Sequence, residues 1–299
     1  MTTLLVYQIA VVLILGSCFL YEVVDIIKHK ETLKGFWRKF VPMSIVAIGT
    51  EFFDMLGIGS YGPQTACFKT FKLVDDINIP GTLNTAALTI TIAGTLLFIN
   101  TIEMEIMTLI WMVIASSLGA AIGSRFVTKL DVTKIRYAMG GALAVVACIF
   151  AAGQLGLLPN TGGEALGLHG WKLIVACIVV FIFGALMMIG IGCYAPTMAT
   201  ICLLGMNPVI SYPVMYGTCA FLIPVGGFKF IKEGRYDRRF GLICNTVGLI
   251  GTFSAFFLVT NVPIYWLKWI VTAVLVYTSI AMFRDAVKKT GVEEQITEG

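Results

Sequence analysis

Charge is what this sequence has least of. Only 13% of its residues are Asp, Glu, Lys or Arg, about half the share found in soluble domains. With 58% apolar residues, the composition excludes a soluble globular chain and marks a membrane protein. Histidine is nearly missing too. His29 and His169 both lie in loops, so a histidine relay or metal cage is not expected. The eight cysteines (18, 67, 148, 177, 193, 202, 219 and 244) all sit in apolar segments without a C-x-x-C pair. Neither a zinc site nor a disulfide framework is suggested. No cofactor is expected. No polar stretch is long enough for a sizeable soluble domain. No basic face stands outside the apolar segments, so nucleic acid is not an expected partner.

Apolar runs fill the chain instead. Stretches of spanning length, about 20 residues, occur at roughly 4–24, 79–99, 104–127, 134–154, 208–230, 240–261 and 263–283. Nothing basic precedes the first run and no small-residue cleavage site ends it, so it reads as an extra transmembrane helix rather than a cleaved signal. Two further runs, 40–58 and 171–190, lead into an unusual pair of sequences. Residues 57–66 read GIGSYGPQTA and residues 190–199 read GIGCYAPTMA, identical at six of ten positions. The offset is 190 minus 57, or 133, and it persists without a gap: Pro80 meets Pro213, Thr85 meets Thr218, Ala87 meets Ala220 and Gly94 meets Gly227.

The basic residues orient this duplication. They cluster at 28–39, 125–136, 229–239 and 284–289, which read as cytoplasmic loops. Every loop falls on its proper side only if 40–58 enters, turns at GIGSYGP and returns as 62–74. The second hairpin, 171–190 with 194–205, then enters from the opposite face. The fold class is therefore an all-α membrane protein with an inverted-topology repeat. Each repeat has a re-entrant helical hairpin plus three transmembrane helices, after one extra N-terminal transmembrane helix. The divisions are 1–37 for that helix and its basic loop, 38–155 for the first repeat and 171–285 for the second, in a single membrane domain.

Paired Gly/Pro-interrupted segments at matching places point to a transporter's binding site. Pro63 and Pro196 suit the first helical position. The return helices would then aim the free N–H groups of Gln64, Thr65, Thr197 and Met198 at a common point, and two helix N-termini favour an anion. Candidate binding residues are Gly59, Ser60, Tyr61, Gln64 and Thr65 at the first tip. Gly192, Cys193, Tyr194 and Thr197 serve the second, and Asn84, Thr85 and Thr218 the following helices. Tyr61 and Tyr194 either touch ligand or pack between helices. Cys193 is either small apolar filler or a soft contact to a sulfur-containing ligand.

Glu51 and Asp54 lie three residues apart on the first entering arm, hence on one helical face. Glu22, Asp25, Glu103 and Glu105 read as segment ends. An intramembrane carboxylate is a functional candidate by default. Asp54 nearer the tip and Glu51 on the cytoplasmic access route would couple transport to protons. The bland readings are a Glu51 that snorkels and an Asp54 paired with Lys69 or Lys72.

From about 40 to 285 the chain resembles the TauE/SafE family, the sulfite- and organosulfonate-exporter group of bacterial membrane proteins. The resemblance rests on GIGSYGP and GIGCYAP, each after an apolar helix, and on LNTAAL (83–88) and YGTCAF (216–221). Members typically carry a G-x-G-G-G element there, where this chain has Ser60-Tyr61 and Cys193-Tyr194. The resemblance implies a small sulfur oxyanion moved by a secondary mechanism across the bacterial inner membrane, export being the family's direction. Uptake or a channel for thiosulfate, sulfate or a small carboxylate is the alternative, with Cys193 and Cys67 as soft contacts. The apolar segments lack a nucleophile with a matched base, so an enzyme is not expected. Expected partners are a small anion and membrane lipid, with a homodimer allowed. Impermeant labelling of single-residue probes should place Lys69 and Lys232 on one side of the membrane; opposite sides would exclude the two-hairpin topology.

Overall fold

A computed structural model describes residues 2–126, 132–155, 163–188, 191–261 and 263–297. Among the described residues twelve α-helices follow in order: α1 Thr2–Lys28, α2 Phe36–Met55, α3 Tyr61–Thr70, α4 Ile79–Thr85, α5 Leu88–Thr101 and α6 Ile106–Phe126. Then come α7 Val132–Gln154, α8 Trp171–Met187, α9 Tyr194–Leu203, α10 Ser211–Glu233, α11 Arg238–Asn261 and α12 Ile264–Thr297. Among the described residues there is no strand, and one isolated bridge joins Ala165 to Met206. The protein is an all-α membrane protein in its class. Among the described residues, Thr3–Lys28, Pro208–Glu233 and Arg238–Leu258 are long and apolar enough to cross a membrane, and α4 with α5, bent by 41°, has the length and apolarity of a broken span or a re-entrant loop. Large apolar side chains face outward, among them Leu13, Ile45, Trp111, Ile178 and Ile250. Such a surface suits lipid rather than water.

The run 79–99, expected as one span, is broken. Thr85 ends α4, and α5 begins at Leu88. Asn245 of α11 fills the gap: its Oδ1 accepts from the Thr89 amide at 2.9 Å, and its Nδ2 donates to the Thr85 carbonyl at 2.7 Å. A backbone break away from water persists where a side chain satisfies the freed groups. Asn245 supplies that from another helix, which the local sequence does not reveal.

α2 packs chiefly on α11, α6 on α8, and α7 on α12. Glycines set the closeness of the first two pairs. At Gly251 of α11 a Cβ would strike the carbonyl oxygen of Ile48, and at Gly119 of α6 it would strike that of Phe181. Ile48 and Phe181 are themselves 133 positions apart. α2 and α8 also end alike: the Ile58 amide donates to the Phe53 carbonyl at 3.2 Å, and the Ile191 amide to the Leu186 carbonyl at 3.3 Å. These six-residue closures satisfy the last helical carbonyls.

α1 is packed into the bundle. It lies on α10 and α5, with the Tyr7 hydroxyl donating to the Gly217 carbonyl at 3.0 Å. Its other end is pinned by Asp25, which accepts from Arg238 Nε and from the Tyr236 hydroxyl, each at 2.7 Å. Residues 127–131, within the expected basic loop at 125–136, lie outside the described residues, as does Gly190 of the second tip.

Gly251→Ala and Gly119→Ala should each lower thermal unfolding stability in detergent by about 1–3 kcal/mol through overpacking. Gly49→Ala, where a Cβ meets nothing within 4 Å, should be neutral or stabilising; equal losses at all three positions would refute the close-approach account.

Candidate functional site

The first turn is built by two glycines. Gly57 and Gly59 have φ of 91° and 84°, a region costly for a residue with a Cβ. Gly192, which corresponds to Gly59, does not adopt it. The turn is fastened by Asp54. Its Oδ1 accepts from the Ser60 amide at 2.6 Å, and its Oδ2 accepts from the Tyr216 hydroxyl at 2.7 Å. Tyr216 has room because Gly94 lies under its ring, where a Cβ would collide. The two turns stand against each other. A Cβ at Gly57 would meet Met198 Cε at 2.6 Å, and one at Gly59 would lie 4.0 Å from Tyr194.

The helix starts differ from expectation. α3 begins at Tyr61 and α9 at Tyr194, so Pro63 and Pro196 are third rather than first residues. The Gln64 amide is therefore spent on the Ser60 carbonyl at 2.8 Å, and that of Thr197 on the Cys193 carbonyl at 3.0 Å. By position the open amides are those of Tyr61 and Gly62, and of Tyr194 and Ala195. The Asp54 carboxylate already occupies the approach to the first helix start.

Glu51 is 1% exposed, and so does not snorkel. Its Oε1 accepts from Gln64 Nε2 at 2.7 Å and from the Cys244 thiol at 3.4 Å. Its Oε2 is buried without a hydrogen-bond partner. Asp54 pairs with neither Lys69 nor Lys72, both of which are exposed. The acid that sequence reasoning missed is Glu22, 0% exposed within α1. Its Oε2 accepts from Asn245 at 3.0 Å, and Oε1 has no partner. Position near the end of an apolar run concealed it, because the burying surface belongs to α10 and α11. Tyr216 was also missed, although it opens the quoted YGTCAF piece.

A cavity of about 690 Å³ runs from the paired turns to the end of the bundle that carries Lys69, Arg136, Arg284 and Asp285. Of the candidate residues, Asp54, Gly59, Ser60, Tyr61, Thr65, Gly192, Cys193 and Tyr194 line it. Glu51, Gln64, Asn84, Thr85, Thr197 and Thr218 do not, although all are buried. Gln64 holds Glu51. Asn84 Oδ1 accepts from the Tyr61 hydroxyl at 3.3 Å, and the Thr218 hydroxyl bonds back to the Val214 carbonyl at 2.7 Å. These six support the walls. Among the described residues no group of three or more His, Cys, Asp and Glu is placed to hold a metal ion. The chain matches no protein-family model, no curated protein and no solved structure.

Gln64→Leu should destabilise the protein by about 1–3 kcal/mol, because it leaves buried Glu51 with only the weak Cys244 thiol as a donor. Adding Glu51→Leu should recover part of that loss in a double-mutant cycle of unfolding free energies; simple additivity would show that the pair does not interact.

Proposed function

We propose that this protein is a secondary transporter of a small sulfur-containing anion, such as sulfite or an organosulfonate, in the bacterial inner membrane. The observation that carries the reading is the cavity, which ends on both Gly-Pro turns and opens among Lys69, Arg136 and Arg284, three cations against the single acid Asp285. Cationic side chains around a mouth raise the local concentration of anions. The open amides of Tyr194 and Ala195 at its inner end suit a negative group, and the half-buried Thr65 hydroxyl adds neutral hydrogen bonding. The resemblance to the TauE/SafE family supplies the sulfur-anion class.

An inverted-topology repeat is part of the proposal. Its support is the constant offset. Tyr61–Thr70 and Tyr194–Leu203 match at both ends, and the α2–α11 contact has its counterpart in α8–α6. A two-fold relation requires such reciprocity. With the basic clusters on the cytoplasmic side, the cavity faces the cytoplasm, as one end-state of alternating access between the two halves.

Export is the direction that the resemblance suggests. Asp54 favours the second reading, uptake. An anion in the cavity is repelled by an ionised Asp54 and accepted beside a protonated one, so anion and proton bind together. Under an inward proton gradient that linkage drives solute inward.

Proteoliposome flux of sulfite, sulfonates, thiosulfate and small carboxylates, with and without a pH gradient, tests both readings. Saturable flux with counter-flow is expected, and a sulfur anion should be preferred. Asp54→Asn should abolish the pH-driven component while ligand binding persists, since Asn keeps an acceptor for the Ser60 amide. Unsaturable current without pH coupling would make the protein a channel, and unchanged pH dependence in Asp54→Asn would remove Asp54 from coupling.

A further inference from the structure

Three sulfur atoms meet at the inner end of the cavity. Met187 is the last residue of α8, Cys193 immediately precedes α9, and Cys219 lies in the middle of α10. Cys193 Sγ is 3.6 Å from Met187 Sδ and 3.7 Å from Cys219 Sγ, and Cys219 Sγ is 3.9 Å from Met187 Sδ. The triangle is nearly equilateral. All three residues are at most 5% exposed, and Met187 and Cys193 line the cavity wall.

From this triangle we infer a binding site for one soft monovalent cation of the Cu(I) class. The point equidistant from three sulfurs at these separations lies about 2.2 Å from each, close to a metal–sulfur bond length of about 2.3 Å. An ion there would be three-coordinate, with no rearrangement of the helices. The donor set selects the ion: thiolate and thioether sulfur favour Cu(I) over hard cations. Structural zinc sites are four-coordinate, and the described residues offer no His, Cys, Asp and Glu cluster to complete one. Burial fits a monovalent ion as well. When the ion binds, one thiol S–H bond breaks, a sulfur–metal bond forms, and the proton leaves along the cavity. One thiolate and one monovalent cation leave no net charge in the apolar interior. No change of oxidation state is involved.

The inference does not rest on the anion reading, although Met187 and Cys193 line the same cavity. The Met187 counterpart in the first half is Asp54 and that of Cys219 is Ala86, so the sulfur cluster is a property of the second half alone. It escapes a spacing search because the three ligands come from three elements, one of them a methionine.

The test uses the full chain in detergent, reduced and desalted without oxygen. Cys67, Cys148 and Cys177, none of them buried, are replaced by serine to remove adventitious thiols. Silver(I), a redox-silent probe, and Cu(I) in competition with a chelator are titrated in turn. One equivalent per chain is expected, tighter at higher pH because a proton is released. A sulfur-only shell near 2.2–2.3 Å is expected in X-ray absorption. Cys193→Ser and Cys219→Ser should each weaken binding by at least about tenfold. Met187→Leu, which conserves volume, should weaken it with thermal stability kept. Retention of the equivalent in the Cys193→Ser/Cys219→Ser variant, or no uptake by the reference protein, would overturn the site and leave the three sulfurs as packing. Neither result bears on anion flux.

Discussion

The Asp54 carboxylate holds the first turn shut. It takes the Ser60 amide on one oxygen and the Tyr216 hydroxyl on the other, and so joins the end of α2, the start of α3 and the middle of α10 at one point. The glycines that allow the turn and the glycine that admits the Tyr216 ring serve this junction. A carboxylate away from water is costly unless its lone pairs are occupied, and here both oxygens are. The second turn has no such lock, since Met187 stands where Asp54 would. One half of the molecule therefore meets the cavity with an acid and the other with sulfur.

That asymmetry lies within a regular frame. α2 and α8 close with the same backbone bond at their C-terminal ends, and glycines bring α11 onto α2 and α6 onto α8 over carbonyl oxygens 133 positions apart. Where Gly184 lets the Ser116 backbone approach, the first half carries Glu51 against Gly248. A large polar side chain thus fills a place that its counterpart leaves to close packing. In the proposed transporter, matched frames permit rocking of one half against the other, and the unmatched Asp54 and Glu51 supply the chemistry that distinguishes one access state from the other.

Buried polar groups around Asn245 extend the same logic. Asn245 fills the break between α4 and α5 and also reaches Glu22 of α1. α1 is thereby tied to the element that bends, as well as to the α10–α11 connection through Asp25. It bears on the bundle's centre and is more than a peripheral addition.

The sequence by itself determined the class of the protein, the duplicated turns, their glycines and the two acids of the first arm. Those features are carried by composition, by repetition and by residues whose local demands are strong. Tertiary structure alone decided which partners they meet. The duplication foretold return helices but placed their starts two residues late, because Ser60 and Cys193, not the prolines, accept the first helical bonds. Glu22 looked like an end of a segment until α10 and α11 covered it. Gln64 and Thr197 looked like site residues until helical geometry turned them into the walls. Met187, Cys193 and Cys219 are far apart in the chain and ordinary one by one. Only the crossing of three elements brings their sulfurs within bonding reach of a common point, and distance in space is what a linear pattern does not encode.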